Sequence, residues 1–488
     1  MDFHTVKQAV VRGFAWQGAT KVVVQTASWL STLFVARLIA PADYGVMAAA
    51  VVFAQLLVLL TELGLAQGLI QTKDASRSDE DGVFYLSLLL GLLTYSLLYL
   101  AAPTIADFYR MPILTDVLRL LGVIVILSAL KTVPLAIAMR RMDFRYRSLV
   151  EMGSSLVMTA TVITLALNGF GIWSLVWGPI VSNLVMVLAY LPLLGRWPAP
   201  TLFSRRVARL LSFGAKIAVT NLLYFMWSRA DVMIIGKVLG ERLLGLYSMA
   251  FQLAVLPLDK IGSIFNQVMF PALARLQDNL PESQRLFLDL HRYLLMICYP
   301  LLFGLFAVAD DFVALLLTET WLPIVPFLQA LCLISALRVS GMLMPPALYA
   351  RGKPGFMVAY SVLCVMVLPP GFLLGAQYGL WGVIIAWAVA YPALYLVLTG
   401  ICLRDLQLSW LALLRSAAPA VGASALMLAG VFAFRLSVGE ELGLFNRLAA
   451  STAIGAVLYI GCLALLFREQ LLGFKARIAL LRGGRAET

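Results

Sequence analysis

Long hydrophobic segments alternate with short polar ones along almost the whole chain. Apolar runs of about 20 residues recur from Gly13 to Phe467, and each is long enough to cross the hydrocarbon core of a bilayer. The first run is too long for a cleavable signal and lacks a small-residue cleavage site, so we expect it to stay in the mature protein. The pattern predicts an all-α polytopic membrane protein with about 14 transmembrane helices, near residues 13–36, 45–68, 83–106, 116–138, 149–168, 172–194, 212–235, 243–264, 294–316, 322–348, 356–376, 379–402, 412–434 and 447–467.

The distribution of charge supports this interpretation and orients the helices. Only 13% of the 488 residues are charged and 62% are hydrophobic, whereas a soluble domain is about 25% charged. The net charge of +12 comes mainly from Lys and Arg in alternate loops, which the positive-inside rule assigns to the cytoplasm. No basic segment with interleaved aromatic residues indicates nucleic-acid binding. We therefore expect a multi-pass protein with both termini in the cytoplasm.

The two halves of the chain resemble each other. The segment "LFVARLIAPADYG" (33–45) aligns without a gap with "MIIGKVLGERLLG" (233–245), and such self-similarity indicates an internal repeat. Further matches follow in the same order: Gly171-Ile-Trp173 with Gly379-Leu-Trp381, and Pro134 and Arg140 with Pro345 and Arg351. Parallel repeats place a substrate path between the halves. We predict two pseudo-symmetric six-helix bundles around a central cavity, over 1–200 and 201–404, followed by two additional helices and a cytoplasmic tail over 405–488.

Charged residues within predicted spans are candidates for function, because each is costly in lipid and usually faces protein or water. Lys21 lies about eight residues from the inner end of its span, Arg338 near the middle of its span and Arg229 about two-thirds of the way out, so the three would place positive charge at different depths. Buried structural ion pairs are the alternative explanation, and snorkelling to the interface is the alternative for charges near span ends. The charged positions in spans are Lys21, Glu62, Arg119, Lys131, Glu151, Lys216, Arg229, Asp231, Asp259, Lys260 and Arg338.

Polar residues recur at helical spacing in the first and seventh spans, which open the two halves. These stripes would face one central path, and Lys and Arg along that path favour an anionic substrate such as a phosphate. Asp231, Glu62 and Asp259 are candidates for ion coupling. The predicted substrate-binding residues are Lys21, Arg338, Arg229, Gln17, Gln25, Lys216, Asn221 and Tyr224.

The sequence shows no signal of an enzyme, a metal site or a cofactor. It contains no Walker loop, Rossmann glycine run, zinc-ligand spacing or nucleophile elbow. The five cysteines fall in or beside apolar spans and are interpreted as small buried hydrophobic residues. The only histidines are His4, near the N-terminus, and His291, in the predicted cytoplasmic link between the halves, and we interpret both as incidental.

The chain resembles the Wzx-type polysaccharide transporters of the MOP superfamily, and among them it looks most similar to exporters of colanic-acid-like exopolysaccharide repeat units. The resemblance covers residues 8–400 and is carried by "ARLIAPADYGVMA", "ELGLAQGLIQ", "RMDFRYRSLVE", "GKVLGERLLGLYSMAFQLAVLP", "FPALARLQDN" and "WLPIVPFLQALCL". It implies two six-helix bundles that alternate access in a bacterial inner membrane. The implied substrate is an undecaprenyl-pyrophosphate-linked oligosaccharide, and the implied partners are membrane lipid and other polysaccharide-assembly proteins such as a polymerase and a chain-length regulator.

Two other functions stay open at this point. An ion-coupled multidrug exporter of the same superfamily would use buried carboxylates, of which Glu62, Asp231 and Asp259 are examples. A membrane-embedded glycan polymerase or ligase would carry a large outer loop with catalytic residues, but the longest predicted loop is cytoplasmic. Cation export requires an acidic cavity, so the charge of the cavity distinguishes the first alternative from a flippase.

Overall fold

A computed structural model describes residues 31–62, 64–71, 76–141, 144–200, 218–437 and 442–466. Helices connected by short turns make up these residues, and no strand occurs in the described part of the chain. Contacts divide the chain into two units, Met1–Ser248 and Met249–Thr488. Because the described residues form helices and no strand, the all-α fold predicted from the hydrophobic pattern is confirmed.

The first unit contains nine helices among the described residues, together with the first part of a tenth. Its core includes the fully buried Leu65, Leu69, Phe84 and Val133. The helices are α1 (31–36), α2 (Pro41–Glu62), α3 (Leu65–Gln71), α4 (Arg77–Tyr109), α5 (Leu114–Leu121), α6 (Val123–Arg140), α7 (Phe144–Leu167), α8 (Ile172–Tyr190), α9 (218–228) and α10 (Ala230–Pro257).

The second unit takes the end of α10 and the helices that follow it. Its largest fully buried side chains include Trp321, Trp387 and Phe372. A π-helical turn at Leu258–Gly262 joins α10 to the next helix. The helices are α11 (Ser263–Arg275), α12 (Leu280–Ala307), α13 (Ala309–Leu316), α14 (Val325–Gly341), α15 (Met344–Ala350), α16 (Pro354–Ala376), α17 (Gly379–Asp405), α18 (Trp410–Ser437) and α19 (Leu444–Leu466).

Eleven stretches of helix in the described residues are long and apolar enough to cross a membrane. They correspond to the second to sixth and the ninth to fourteenth predicted spans. Two of the predicted spans are interrupted. The fourth predicted span changes from α5 to α6 at Gly122, and the tenth predicted span is broken between Gly341 and Met344. In the tenth span the break precedes Pro345 and Pro346, which lack the backbone N–H needed to continue the preceding helix.

Two glycines that the internal repeat aligns lie at one close helix crossing in the first unit. A Cβ atom on Gly45 of α2 would lie 1.8 Å from the carbonyl oxygen of Glu241, and one on Gly245 of α10 would lie 1.7 Å from that of Pro41. The alignment pairs Pro41 with Glu241 and Gly45 with Gly245, so the two contacts are reciprocal. Only glycine permits such an approach of two backbones.

Within the second unit, a cluster of charges joins the last two helices, α18 and α19, to α13. Arg435 of α18 donates to Asp310 and lies 3.2 Å from Asp311, and Arg447 of α19 pairs with Asp311. Both acidic residues lie in the first turn of α13, where carboxylates also favour the helix dipole. The two acidic residues at the start of α13 and the two arginines of α18 and α19 are therefore partners of each other.

The two carboxylates of this cluster differ in burial and hence in expected importance. The Asp311 side chain is fully buried, whereas that of Asp310 is 47% exposed. Replacing Asp311 with asparagine leaves two arginines without their shared counter-ion and is expected to lower the free energy of unfolding by about 3–5 kcal/mol. Thermal unfolding of Asp311→Asn and Asp310→Asn in detergent checks this. Equal melting temperatures for the two variants would contradict it.

The link to Asp310 is expected to survive mild acid. Burial alone would raise the pKa of Asp310, but the hydrogen bond from Arg435 and its charge outweigh burial and hold the pKa below its usual value. A carboxyl whose pKa is lowered by folding stabilises the fold above its unfolded pKa and loses that contribution as the pH falls through the folded pKa. The contribution is small, because the side chain is half exposed to screening.

Candidate functional site

Arg338 lies in the last turn of α14, where its positive charge complements the C-terminal end of the helix dipole. Three aromatic rings surround its guanidinium. The carbon at its centre is 5.3 Å from the ring centroids of Phe251 and Trp387 and 5.9 Å from that of Tyr391. We call Arg338 and these three rings the arginine box. Such rings attract a cation through their negative faces and stabilise it without a counter-ion.

The guanidinium of Arg338 has N–H donors without an acceptor among the described residues. Its Nη1 atom is buried and has no hydrogen-bond partner among the described residues, and no described carboxylate forms an ion pair with Arg338. Buried polar groups are normally satisfied, and a charged donor left without a partner is costly. The structural ion pair that the sequence left open for this arginine is therefore not present in the described part of the chain.

A second polar group lies within the first unit, beside a cleft of about 430 Å³. Glu62, at the end of α2, and Gln55 line this cleft together with mostly apolar side chains. Lys131 of α6 interacts electrostatically with Glu62, and its Nζ donates to Asn183 Oδ1 of α8 at 2.5 Å. Glu62 itself makes no hydrogen bond or ion pair with the described residues. A carboxyl group thus faces open space beside a cation that is already held elsewhere.

Asp231 is occupied by its own surroundings. It is buried at the start of α10, where its carboxylate accepts hydrogen bonds from Tyr247 Oη at 2.5 Å and from the backbone N–H of Val232 at 2.8 Å. These bonds satisfy the carboxylate at the N-terminal end of the helix, where negative charge is favourable. Asp231 is therefore well placed to stabilise the bend between α9 and α10.

The remaining predicted site residues are spread over different parts of the chain. Asn221 and Tyr224 are exposed on α9, Arg229 is half-buried at the bend after it, and Asp259 is exposed in the π-helical turn. Arg229 has no ion-pair partner among the described residues. Predicted residues outside the described part of the chain are Gln17, Lys21, Gln25 and Lys216.

A chain of hydrogen bonds near the arginine box was missed from the sequence. His291 of α12 is fully buried; its Nδ1 is 2.8 Å from Ser416 Oγ of α18, and its Nε2 is 2.9 Å from Ser340 Oγ of α14. Ser340 Oγ is in turn 2.8 Å from Tyr395 Oη of α17. The sequence placed His291 in a charged link between the halves, whereas α12, which begins at Leu280, carries it into a buried part of the second unit.

The chain is similar in sequence to proteins of polysaccharide biosynthesis and transport. The chain is 24% identical to the lipopolysaccharide biosynthesis protein WzxC of Escherichia coli over 76% of each chain. It is 26% identical to the teichuronic acid biosynthesis protein TuaB of Bacillus subtilis over 84% of this chain and 85% of TuaB. It is also 26% identical to the succinoglycan biosynthesis transport protein ExoT of Rhizobium meliloti over 93% of this chain and 92% of ExoT.

Solved structures show the same fold at low sequence identity. The lipid II flippase MurJ in an inward closed conformation superposes with a TM-score of 0.76 at 13% identity, over 93% of this chain and 99% of MurJ. An inward-facing multidrug resistance MATE family transporter of the MOP superfamily gives 0.62 at 16% identity, over 79% and 96%. Residues 34–326 match the family model described as polysaccharide biosynthesis protein. The chain belongs to the polysaccharide biosynthesis protein family.

Proposed function

We propose that this protein is a flippase that moves oligosaccharide repeat units, linked to undecaprenyl pyrophosphate, across the bacterial inner membrane for surface polysaccharide synthesis. Three relatives are named for the biosynthesis or transport of polysaccharides, and MurJ is named as a flippase for a lipid-linked substrate. The observation that carries the proposal is the buried guanidinium Nη1 of Arg338, which lies in a membrane-spanning helix and has no hydrogen-bond partner among the described residues.

A pyrophosphate matches the chemistry of Arg338. A guanidinium presents several N–H donors in a planar fork that suits phosphate oxygens, and charge-assisted bonds of this kind are stronger than neutral ones. The surrounding rings hold the cation without consuming those donors. Arg338 therefore binds the pyrophosphate, and Lys21, Lys216 and Arg229 contribute further positive charge along the path. Gln17, Gln25, Asn221 and Tyr224 supply hydrogen bonds to sugar hydroxyl groups.

The proposed orientation follows from the loop charges. Lys and Arg concentrate in alternate loops, so both termini lie in the cytoplasm. The protein binds its substrate from the inner leaflet and releases it to the outer leaflet by alternating access. A polymerase and a chain-length regulator would then act on the released repeat units.

A multidrug exporter is the less well supported alternative. Its fold relative with a TM-score of 0.62 covers 79% of this chain, but export of cations requires carboxylates that are free to bind them. Asp231 is already satisfied by Tyr247 and Val232. Glu62 makes no hydrogen bond with the described residues but lies beside Lys131, and the arginine box adds positive charge. The balance of these groups favours an anionic substrate.

We infer that Glu62 is the group most suited to couple transport to protons. Among the three carboxylates considered from the sequence, Glu62 is half-buried and lines a cleft without a hydrogen-bonding partner, whereas Asp231 is hydrogen-bonded and Asp259 is exposed. Gain or loss of a proton at Glu62 changes the net charge beside Lys131 without breaking an existing hydrogen bond. Lys131, while it stays hydrogen-bonded to Asn183, balances the charge of ionised Glu62 and leaves an excess positive charge when Glu62 is protonated.

Replacing Glu62 with glutamine is expected to abolish the response of flipping to an imposed pH gradient. Transport driven by the substrate's own gradient should continue, because glutamine keeps the size of the side chain and resembles its protonated form. Flipping is measured in proteoliposomes with and without the gradient. Glu151→Gln is the control, since Glu151 pairs with Arg147 on its own helix. An unchanged response in Glu62→Gln, or an equal loss in the control, would refute the coupling role.

The function itself can be tested in cells. Deletion of the gene should halt surface polysaccharide and cause lipid-linked repeat units to accumulate on the cytoplasmic side of the membrane. Extraction of the lipid fraction and glycan analysis detect that accumulation. Loss of polysaccharide without accumulated lipid-linked units would point to a step before or after translocation instead.

A further inference from the structure

The directions of the hydrogen bonds around His291 can be assigned from their partners. Ser416 Oγ donates its single hydrogen to the carbonyl oxygen of Leu413 at 2.6 Å, so it can only accept from His291 Nδ1–H. A neutral imidazole then has an acceptor at Nε2. Ser340 Oγ donates to that nitrogen and accepts from Tyr395 Oη. With His291 in the neutral Nδ1–H form, each of the hydrogen bonds that joins Ser416, His291, Ser340 and Tyr395 has one donor and one acceptor.

The hydrogen-bond network and the arginine box share two helices, α14 and α17. Ser340 follows Arg338 by two residues at the end of α14, and Tyr395 follows the box residue Tyr391 by one turn of α17. The two helices are in close contact here, because a Cβ atom on Gly341 would lie 3.2 Å from Tyr395 Cδ2. The position of the guanidinium relative to its rings therefore depends on the contact between α14 and α17.

We propose that His291 is a positioning residue for Arg338, and that through Ser340 and Tyr395 it holds the arginine box in the arrangement that binds the substrate pyrophosphate. The inference rests on the proposed function of Arg338. Since Nη1 of Arg338 makes no hydrogen bond with the residues that the structure describes, its placement comes from the backbone of α14 and the rings of α17. The bond from Nδ1 to Ser416 extends the same network to α18, one of the two helices beyond the twelve of the predicted bundles.

Two substitutions of His291 distinguish the hydrogen bond at Nδ1 from the hydrogen bond at Nε2. In His291→Gln the amide reaches the position of Nε2 and can accept from Ser340, whereas in His291→Asn it reaches only the position of Nδ1 and can donate to Ser416. The asparagine variant is expected to bind farnesyl pyrophosphate about fivefold to tenfold more weakly than the native protein, the effect of one lost hydrogen bond. The glutamine variant should bind within about twofold of the native protein.

Binding is measured on purified full-length protein in nanodiscs, with melting temperatures recorded for each variant and Arg338→Gln measured in parallel. Equal affinities of the asparagine and glutamine variants would overturn the positioning role and leave His291 as a packing residue. If Arg338→Gln also binds normally, the proposed anion site fails as well; if it binds weakly, only the role of His291 fails.

The tautomer of His291 provides a second measurement, because packing alone does not determine which ring nitrogen carries the proton. Because His4 is the only other histidine in the chain, a His4→Ala protein labelled with ¹⁵N-histidine reports on His291 alone. The two nitrogen shifts should indicate a neutral ring with its proton on Nδ1, and Ser416→Ala should reduce that preference. A proton on Nε2 in the native protein would overturn the assigned direction of the network and with it the proposal.

Discussion

Replacing Arg338 with glutamine is expected to weaken binding of a polyprenyl pyrophosphate about 10- to 100-fold, because charge-assisted hydrogen bonds to phosphate contribute about 1.5–3 kcal/mol. Flipping should fall in proportion at limiting substrate. Arg338→Lys keeps the charge and loses the planar fork, so its affinity should lie between those of glutamine and arginine. Binding isotherms in nanodiscs measure all three proteins.

A matched control exists in the first unit. Arg119 also lies against an aromatic ring, with its guanidinium carbon 4.5 Å from the centroid of the Tyr99 ring. Unlike Arg338 Nη1, its Nε atom has a hydrogen-bond partner, the backbone carbonyl oxygen of Tyr99. Arg119→Gln should therefore leave affinity within about twofold of the native value. A similar loss of affinity in both variants would indicate a general effect of positive charge and not a site at Arg338.

Replacing Gly45 with alanine is expected to separate α2 from α10 and to destabilise the state described here. The atom that a methyl group would meet is a backbone carbonyl oxygen 1.8 Å away, which cannot rotate aside as a side chain would. Overpacking commonly costs about 1–3 kcal/mol, and a backbone obstacle belongs at the upper end of that range. Thermal unfolding of the purified protein measures the effect.

Because the Gly45 and Gly245 contacts are reciprocal, the two substitutions should not add. Once one methyl group has parted the helices, the second enters space that is already open, so the double variant should lose much less than the sum of the single losses. Gly153→Ala in α7 is the control: nothing lies within 4 Å of its added Cβ, and alanine favours a helix. Strict additivity, or an equal loss in the control, would contradict the close crossing.

Hydropathy was sufficient to predict most of the fold. Span length and composition located eleven of the helices correctly, since a bilayer imposes the same length on every crossing. The break before Met344 was not predicted, because the apolar run continues through Pro345 and Pro346. The reciprocal contacts of Gly45 and Gly245 follow the register of the aligned repeat, although an alignment alone gives no distance between helices.

The candidate site was predicted only in part. Arg338 could be selected because its depth in a span makes its charge costly, but its three rings come from positions 251, 387 and 391, which no local pattern connects. His291 was missed because charged neighbours such as Asp289 and Arg292 made its segment look like an amphipathic helical link between the halves. These residues belong to the polar beginning of a helix whose other face is buried.

The most direct test of the central claim is flipping by the purified protein. A polyprenyl-pyrophosphate-linked oligosaccharide is reconstituted with the protein into liposomes, and a membrane-impermeant glycosidase reports how much of it faces outward over time. The native protein is expected to make the whole pool accessible, whereas Arg338→Gln should expose the initially protected half about 10- to 100-fold more slowly at limiting substrate, and protein-free liposomes should leave that half protected. Equal accessibility with the native protein and with protein-free liposomes, or equal rates with Arg338→Gln and the native protein, would contradict this claim.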